Sequence, residues 1–295
     1  MNKRANSIRR VVVTGGSGRL GRHVLRELGK HYDVINADLA VDNGVYPYVQ
    51  TDIMKFEGLL TATRGADAVC HIAGIDYDRE VPANEFVRVN ALGSWHVLQA
   101  AAENSVGKVI LTSSVAACGL SEMRPDWLPL YLPIDEEHES RPVHAYGVSK
   151  LLLEQMGASF ARGAAMSVIC LRPVTVLVRD SVRDYMNFVA APDRRWLFYY
   201  VTGEDVARAF TLALQADAPP FEVFFLSAAD TSRPEPTLDW YARRVGRLPD
   251  IVDLQLYQEN PRASVFSSDK ARRLLGWTPT SDYFAITSHL DGLAL

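Results

Sequence analysis

Val11-Val12-Val13-Thr14-Gly15-Gly16-Ser17-Gly18-Arg19-Leu20-Gly21 is the stretch whose reading decides the fold. A β-branched run enters a glycine turn, and apolar residues from Leu20 to Leu28 then recur at helical spacing. Strand, tight turn and helix in that order predict a βα unit whose turn cradles a dinucleotide. Gly15 suits the sharp turn, and Gly18 lets a ligand approach the backbone. Gly21 lets the helix lie close to the strand. The first helical N–H groups, around Arg19 and Leu20, then face a pyrophosphate with the positive end of the helix dipole behind them. A kinase-type phosphate loop is excluded, because Arg22-His23 stands where Lys-Ser/Thr is required.

Downstream, strands alternate with helical patterns, which predicts a doubly wound parallel α/β sheet of Rossmann type. Asp33–Ala37 reads as a strand ending at Asp38, seventeen residues past Gly21. A carboxylate at that distance holds the adenosine ribose hydroxyls and repels a 2′-phosphate, which favours NAD over NADP. Tyr46–Gln50 and Asp67–Ile72 read as further strands, with Phe56–Arg64 a helix between them. Ligands of open α/β sheets sit at the strands' carboxyl ends, so Asp52, Ile53, Ala73 and Gly74 are expected in the cofactor wall. His71, in an apolar strand, reads as a core histidine. Asn84–Glu103 has helical periodicity and carries Asn90 and Trp95; Lys108–Leu111 is a buried strand delivering Ser113 and Ser114 to the same rim.

Gly119–Pro142 reads as a long connection, with an acid run at Asp135–Glu139 expected to be a solvated surface. Tyr146–Ala161 is a helix and Ser167–Arg172 a strand. Later come helices at Asp205–Gln215, Leu238–Val245 and Ser268–Leu275 and a strand at Glu222–Leu226. These late elements predict a small C-terminal substrate-binding cap. Residues 1–173 form the NAD-binding part and 174–295 mostly the substrate region, with 201–227 returning to the sheet.

Of the 295 residues 48% are hydrophobic, ample for a core, and no run approaches the ~20 apolar residues of a membrane helix. A net charge of −4 argues against a nucleic-acid surface. Cys70, Cys118 and Cys170 lack CxxC spacing and read as reduced thiols of a cytoplasmic protein. Met1–Arg10 has no apolar signal core and reads as a frayed tail. No ligand cluster for a metal is present.

Tyr146 and Lys150 stand four apart, on one face of a helix. Neutral tyrosine, with a pKa near ~10, is a poor base. A nearby ammonium, or a positive nicotinamide ring, lowers that value, and the tyrosinate can then take a substrate hydroxyl proton as hydride leaves the adjacent carbon. Lys150 can also bridge to the nicotinamide ribose. Ser114 can hydrogen-bond the same substrate oxygen. No Gly-x-Ser-x-Gly elbow surrounds Ser113 or Ser114, so serine hydrolysis is not supported.

The glycine motif, Asp38, Asp52-Ile53, Ser113-Ser114, Tyr146-x-x-x-Lys150 and Leu171-Arg172-Pro173 together resemble the extended short-chain dehydrogenase/reductases, the NAD-dependent epimerase/dehydratase family. The likeness runs from about Arg10 to Gly276, with echoes at Val201–Ala207 and Lys270–Pro279. It implies a catalytic Ser114, Tyr146 and Lys150, an ordering role for Asn90, and cofactor contacts that include Pro173. It also implies a homodimer formed by the Asn84–Glu103 and Tyr146–Ala161 helices.

Departures from the family pattern narrow the substrate. Val115-Ala116 replace the acid pair of the dehydratases, so no acid is supplied to protonate a leaving hydroxyl. Val174–Leu177 replaces the residues usual in nucleotide-sugar members, and Pro173 to Asp205 is short for a nucleotide-diphosphate pocket. That brevity is similar to uronate dehydrogenases, in which Arg195 would correspond to the carboxylate-binding arginine. Their Asn-His after the serine is absent here. The expectation is an NAD-dependent oxidoreductase acting on a secondary alcohol of a sugar or sugar acid. An epimerase with tightly held NAD, or a non-catalytic NAD sensor, is the rival.

Overall fold

The computed structural model describes residues 8–41, 44–121, 124–191 and 197–291. Its strands are β1 (Arg10–Thr14), β2 (Asp33–Asp38), β3 (Tyr48–Gln50), β4 (Ala68–His71), β5 (Lys108–Thr112) and β6 (Tyr131–Leu132). They continue as β7 (Ser167–Pro173), β8 (Val176–Leu177), β9 (Val201–Thr202), β10 (Phe221–Leu226) and β11 (Asp250–Ile251). The helices of the first half are α1 (Arg19–Leu28), α2 (Phe56–Ala62), α3 (Ala83–Glu85), α4 (Gly93–Glu103) and α5 (Ala145–Gly163). The second half adds α6 (Val182–Ala190), α7 (Gly203–Gln215), α8 (Thr237–Val245), α9 (Leu254–Glu259), α10 (Asp269–Leu275) and α11 (Tyr283–Asp291).

Seven strands form one parallel sheet in the order β10-β7-β5-β4-β1-β2-β3. Val12 pairs with Ile35 on one side and Val69 on the other. Strand side chains alternate between faces, so the valine run of β1 must satisfy two cores at once. Val11 and Val13 pack with Val24, Leu25 and Leu28 of α1. Val12 packs on the opposite face with Leu59 of α2, Leu98 of α4 and Leu153 of α5. Because every strand is parallel, all carboxyl ends open onto one edge, and strand order reverses between β1 and β4. The site is built there.

Several boundaries differ from the sequence reading. Arg10 is not part of a frayed tail: it begins β1, and the backbone N–H groups of Arg9 and Arg10 both donate to Asp67, at 2.9 and 2.8 Å. The helix expected over 84–103 is α3 and α4 joined by a π-helical stretch, Phe86–Leu92, which rotates the first half relative to the second. The acid run is only partly solvated. Asp135 accepts from the Tyr131 hydroxyl at 2.6 Å, Glu136 accepts from the Phe225 backbone N–H at 2.6 Å, and His138 is buried.

α6, α9 and α11 were not anticipated; α6 and α9 are short, and α6 has no side-chain cap to announce it. Trp240, Tyr241 and Tyr257 of the late helices share one continuous apolar core with the β1 face of the sheet. The three cysteines are free and buried, as expected.

Candidate active site

A cleft of about 1840 Å³ runs along the carboxyl edge of the sheet. That exceeds the ~300–1,000 Å³ of ordinary small-molecule pockets and leaves room for a dinucleotide beside a second reactant. Its floor at one end is the glycine turn. Gly15 has φ +76°, and a Cβ there would lie 2.5 Å from the Ala73 N atom, so the turn admits only glycine. A Cβ on Gly21 would collide with the Gly15 carbonyl; its absence lets α1 press against the turn. Gly18 caps α1 without a side-chain bond, and the first turn of α1 holds no acid. The positive helix end is thus left for an anion.

Asp38 ends β2 on the same cleft, its carboxylate fixed by the N–H groups of Ser17 (2.9 Å) and Ala40 (3.0 Å). Arg19, Leu20, Asp52, Ile53, Ala73, Gly74 and Pro173 also line it. The glycine cradle, the uncapped helix end and the anchored carboxylate fit a dinucleotide in three separate respects.

Ser114, Tyr146 and Lys150 line the other end of that cleft's wall. β5 carries Ser113 and Ser114 past its end, where Ser114 caps the short 3-10 turn Val115–Cys118 by accepting from the Ala116 N–H at 3.2 Å. α5 starts at His144, whose ring accepts from the Tyr146 N–H, and this sets the phenol and the ammonium one turn apart. Both side chains are buried, and Lys150 Nζ donates to the Thr112 carbonyl at 2.9 Å while lying 5.6 Å from the Tyr146 ring centre.

Burial lowers the Lys150 ammonium to about 8, against the pull of Asp76 and Glu154. The tyrosine departs from expectation. Burial raises its phenol, Asp76 and Asp78 push it further up, and the hydrogen bond with Ser114 is what draws it down. Desolvation is the largest of these effects, because the phenol is buried.

Two predicted residues stand apart. Asn90 is buried but does not line the cleft: its carboxamide accepts from the Ile75 N–H (2.7 Å) and donates to the Ile75 carbonyl (3.0 Å), bracing the wall from behind. Arg195 lies outside the described residues. The sequence reading missed Asp76, Tyr77 and Asp78, which line the cleft directly after Ala73-Gly74. It also missed the aromatic wall of Tyr185, Phe188 and Tyr199, contributed from beyond the sheet. Among the described residues no His, Cys, Asp and Glu group could hold a metal, and no helix is long and apolar enough to cross a membrane.

A family model described as the NAD dependent epimerase/dehydratase family matches residues 11–191. The chain is similar to the L-arabinose 1-dehydrogenase (NAD(P)(+)) of Haloferax volcanii, 25% identical over 75% of this chain and 89% of that one. It is also similar to the uronate dehydrogenase of Pseudomonas syringae pv. tomato, 26% identical over 70% of this chain and 69% of the relative. A solved short-chain dehydrogenase/reductase superfamily protein from Agrobacterium tumefaciens with bound NAD matches in fold, with a TM-score of 0.70 at 22% identity over 97% and 98% of the two chains.

Proposed function

The chain belongs to the NAD-dependent epimerase/dehydratase family, and on that premise we propose that it oxidises a secondary alcohol of a sugar or sugar-acid-like substrate. The observation that carries this reading is the meeting of Ser114, Tyr146 and Lys150 on the cleft that also holds the glycine turn and Asp38. NAD, when bound, supplies the acceptor for a carbon-bound hydride. Tyr146 takes the hydroxyl proton, Ser114 holds the substrate oxygen against the phenol, and the Lys150 ammonium keeps the developing tyrosinate from going uncompensated. The sugar-dehydrogenase relatives support this substrate class, as does the lack of an acid at Val115-Ala116.

Tyr146→Phe is expected to cut turnover by about 10²-fold or more, the size of a lost general base. NAD affinity, read by quenching of tryptophan fluorescence, stays near wild type. Retained NADH formation by this variant removes the base assignment. An epimerase would convert its sugar with no net NADH, so the absorbance of NADH also separates that rival. We further assign a homodimer built on the outer faces of α4, the π-helical stretch before it and α5, where Trp95, Leu92 and Leu152 are exposed.

A further inference from the structure

Asp76, Tyr77 and Asp78 sit where the wall meets the reacting phenol. Tyr77 is 50% exposed, and its ring lies 5.7 Å from the Tyr146 ring at 71°. The carboxylates on either side of it both accept from Arg19 Nη2, at 2.8 Å for Asp76 and 2.6 Å for Asp78. The guanidinium nearest the glycine turn is therefore already matched by two acids. Along the same lining lie Arg79 and Glu80, and Asp184 of α6 adds another carboxylate. Lys150 is a further cation, buried and donating to Thr112. Among the described residues that line the cleft, seven carboxylates outnumber four cations, Lys150 included.

An aromatic ring flanked by carboxylates suits an uncharged polyol. The C–H face of the polyol packs on the ring, and its hydroxyls donate to the acids. A carboxylate or phosphate in the same space meets like charge. We infer that Asp76-Tyr77-Asp78 selects a neutral polyhydroxylated alcohol, such as a free aldose, over its carboxylate or phosphate counterparts. The inference rests on the oxidoreductase reading and narrows its substrate.

The test is NADH formation by the full-length protein with NAD, using hexoses paired with the hexuronates of the same stereochemistry. The hexose should lead in kcat/KM by at least about tenfold in dilute buffer, one like-charge encounter's worth of discrimination. Raising salt to ~0.5 M shortens the screening length to a few ångströms, so the hexuronate KM should fall while the hexose KM stays put. A D76N/D78N variant that still binds NAD should narrow the ratio. If that variant does not fold, the salt series with the wild-type protein decides alone. A hexuronate used as well as or better than its hexose overturns the inference, leaves the dehydrogenase reading standing, and returns the carboxylate-binding role to Arg195. A ratio unmoved by D76N/D78N also overturns it. NADH from neither member of any pair removes the sugar-alcohol reading and this inference together.

Discussion

His71, at the carboxyl end of β4, is 1% exposed, and both ring nitrogens are engaged. Its Nδ1 meets Thr14 Oγ1 at 2.7 Å and its Nε2 meets Ser94 Oγ at 2.8 Å. Ser94 already donates its hydroxyl proton to the Asn90 carbonyl, so the network assigns the proton to Nε2, with Nδ1 accepting from Thr14. Burial, then the charge of Lys150, lowers this imidazole from 6.5 to about 3. In that interval the unfolded chain binds a proton that the folded chain refuses. Stability from this group is therefore full above pH ~6.5 and is lost as pH falls toward 3, by on the order of 5 kcal/mol over the whole window. Urea midpoints measured from pH 7 to 4 should fall steeply for wild type and less steeply for His71→Gln, which has no ring to titrate. Parallel slopes would show that the ring is not the group responsible. The sequence placed His71 in the core from its apolar neighbours. The resemblance gave Asn90 an ordering role, and its amide bonds the Ile75 backbone and the Ser149 hydroxyl behind the cleft wall.

α5 is held to the sheet by a buried ion pair as well as by apolar packing. Arg172 of β7 donates to Glu154 at 2.7 Å through both Nε and Nη2, the Ser113 hydroxyl donates to the same carboxylate, and both charged side chains are almost fully buried. Glu154 lies one turn beyond Lys150, so this clamp fixes the helix that carries the reacting pair and the strand end that carries Ser114. Removing one partner of such a pair strands a buried charge and costs about 3–5 kcal/mol, whereas removing both leaves none. Arg172→Met should lower the unfolding free energy by that amount, and the R172M/E154Q double variant should recover part of it. A double variant as unstable as the two single losses summed would mean that the residues do not act as a pair. Neither partner was legible as such, because eighteen residues separate them and only the fold brings β7 under α5. The seven strands of the main sheet and the glycine turn were legible, since β-branched runs and positive φ are decided within a few residues, whereas the two-residue strands β6, β8, β9 and β11 were not. The interruption at Phe86–Leu92 was not: it turns Leu92 outward and Asn90 inward, against the apolar spacing read from the sequence. Tyr185 and Tyr199 reach the cleft through contacts distant in sequence, which local pattern does not encode.

At the scale of the molecule, the faces of α4 and α5 turned away from the sheet carry large apolar side chains. Val97, Leu98 and Leu153 face inward and are buried, while Leu92 is 45%, Trp95 42% and Leu152 41% exposed. The Trp95 indole packs edge-on to Phe160 of α5 at 5.0 Å, so the two helices present one joined surface. Large apolar side chains grouped on adjacent helices mark an association surface more often than a chance exposure. The two-fold pairing implied by the family would cover this surface on both copies with one self-complementary patch. Light scattering coupled to size exclusion should therefore give twice the chain mass at micromolar concentration. Trp95→Glu places a charge at the centre of the patch and should return the chain mass. Because one chain supplies both the glycine turn and the Ser114-Tyr146-Lys150 group, the monomeric variant should still bind NAD with near-wild-type affinity. A wild-type protein that elutes at the single-chain mass removes the assembly, and a W95E monomer that has lost NAD binding would show that pairing also supports the cleft.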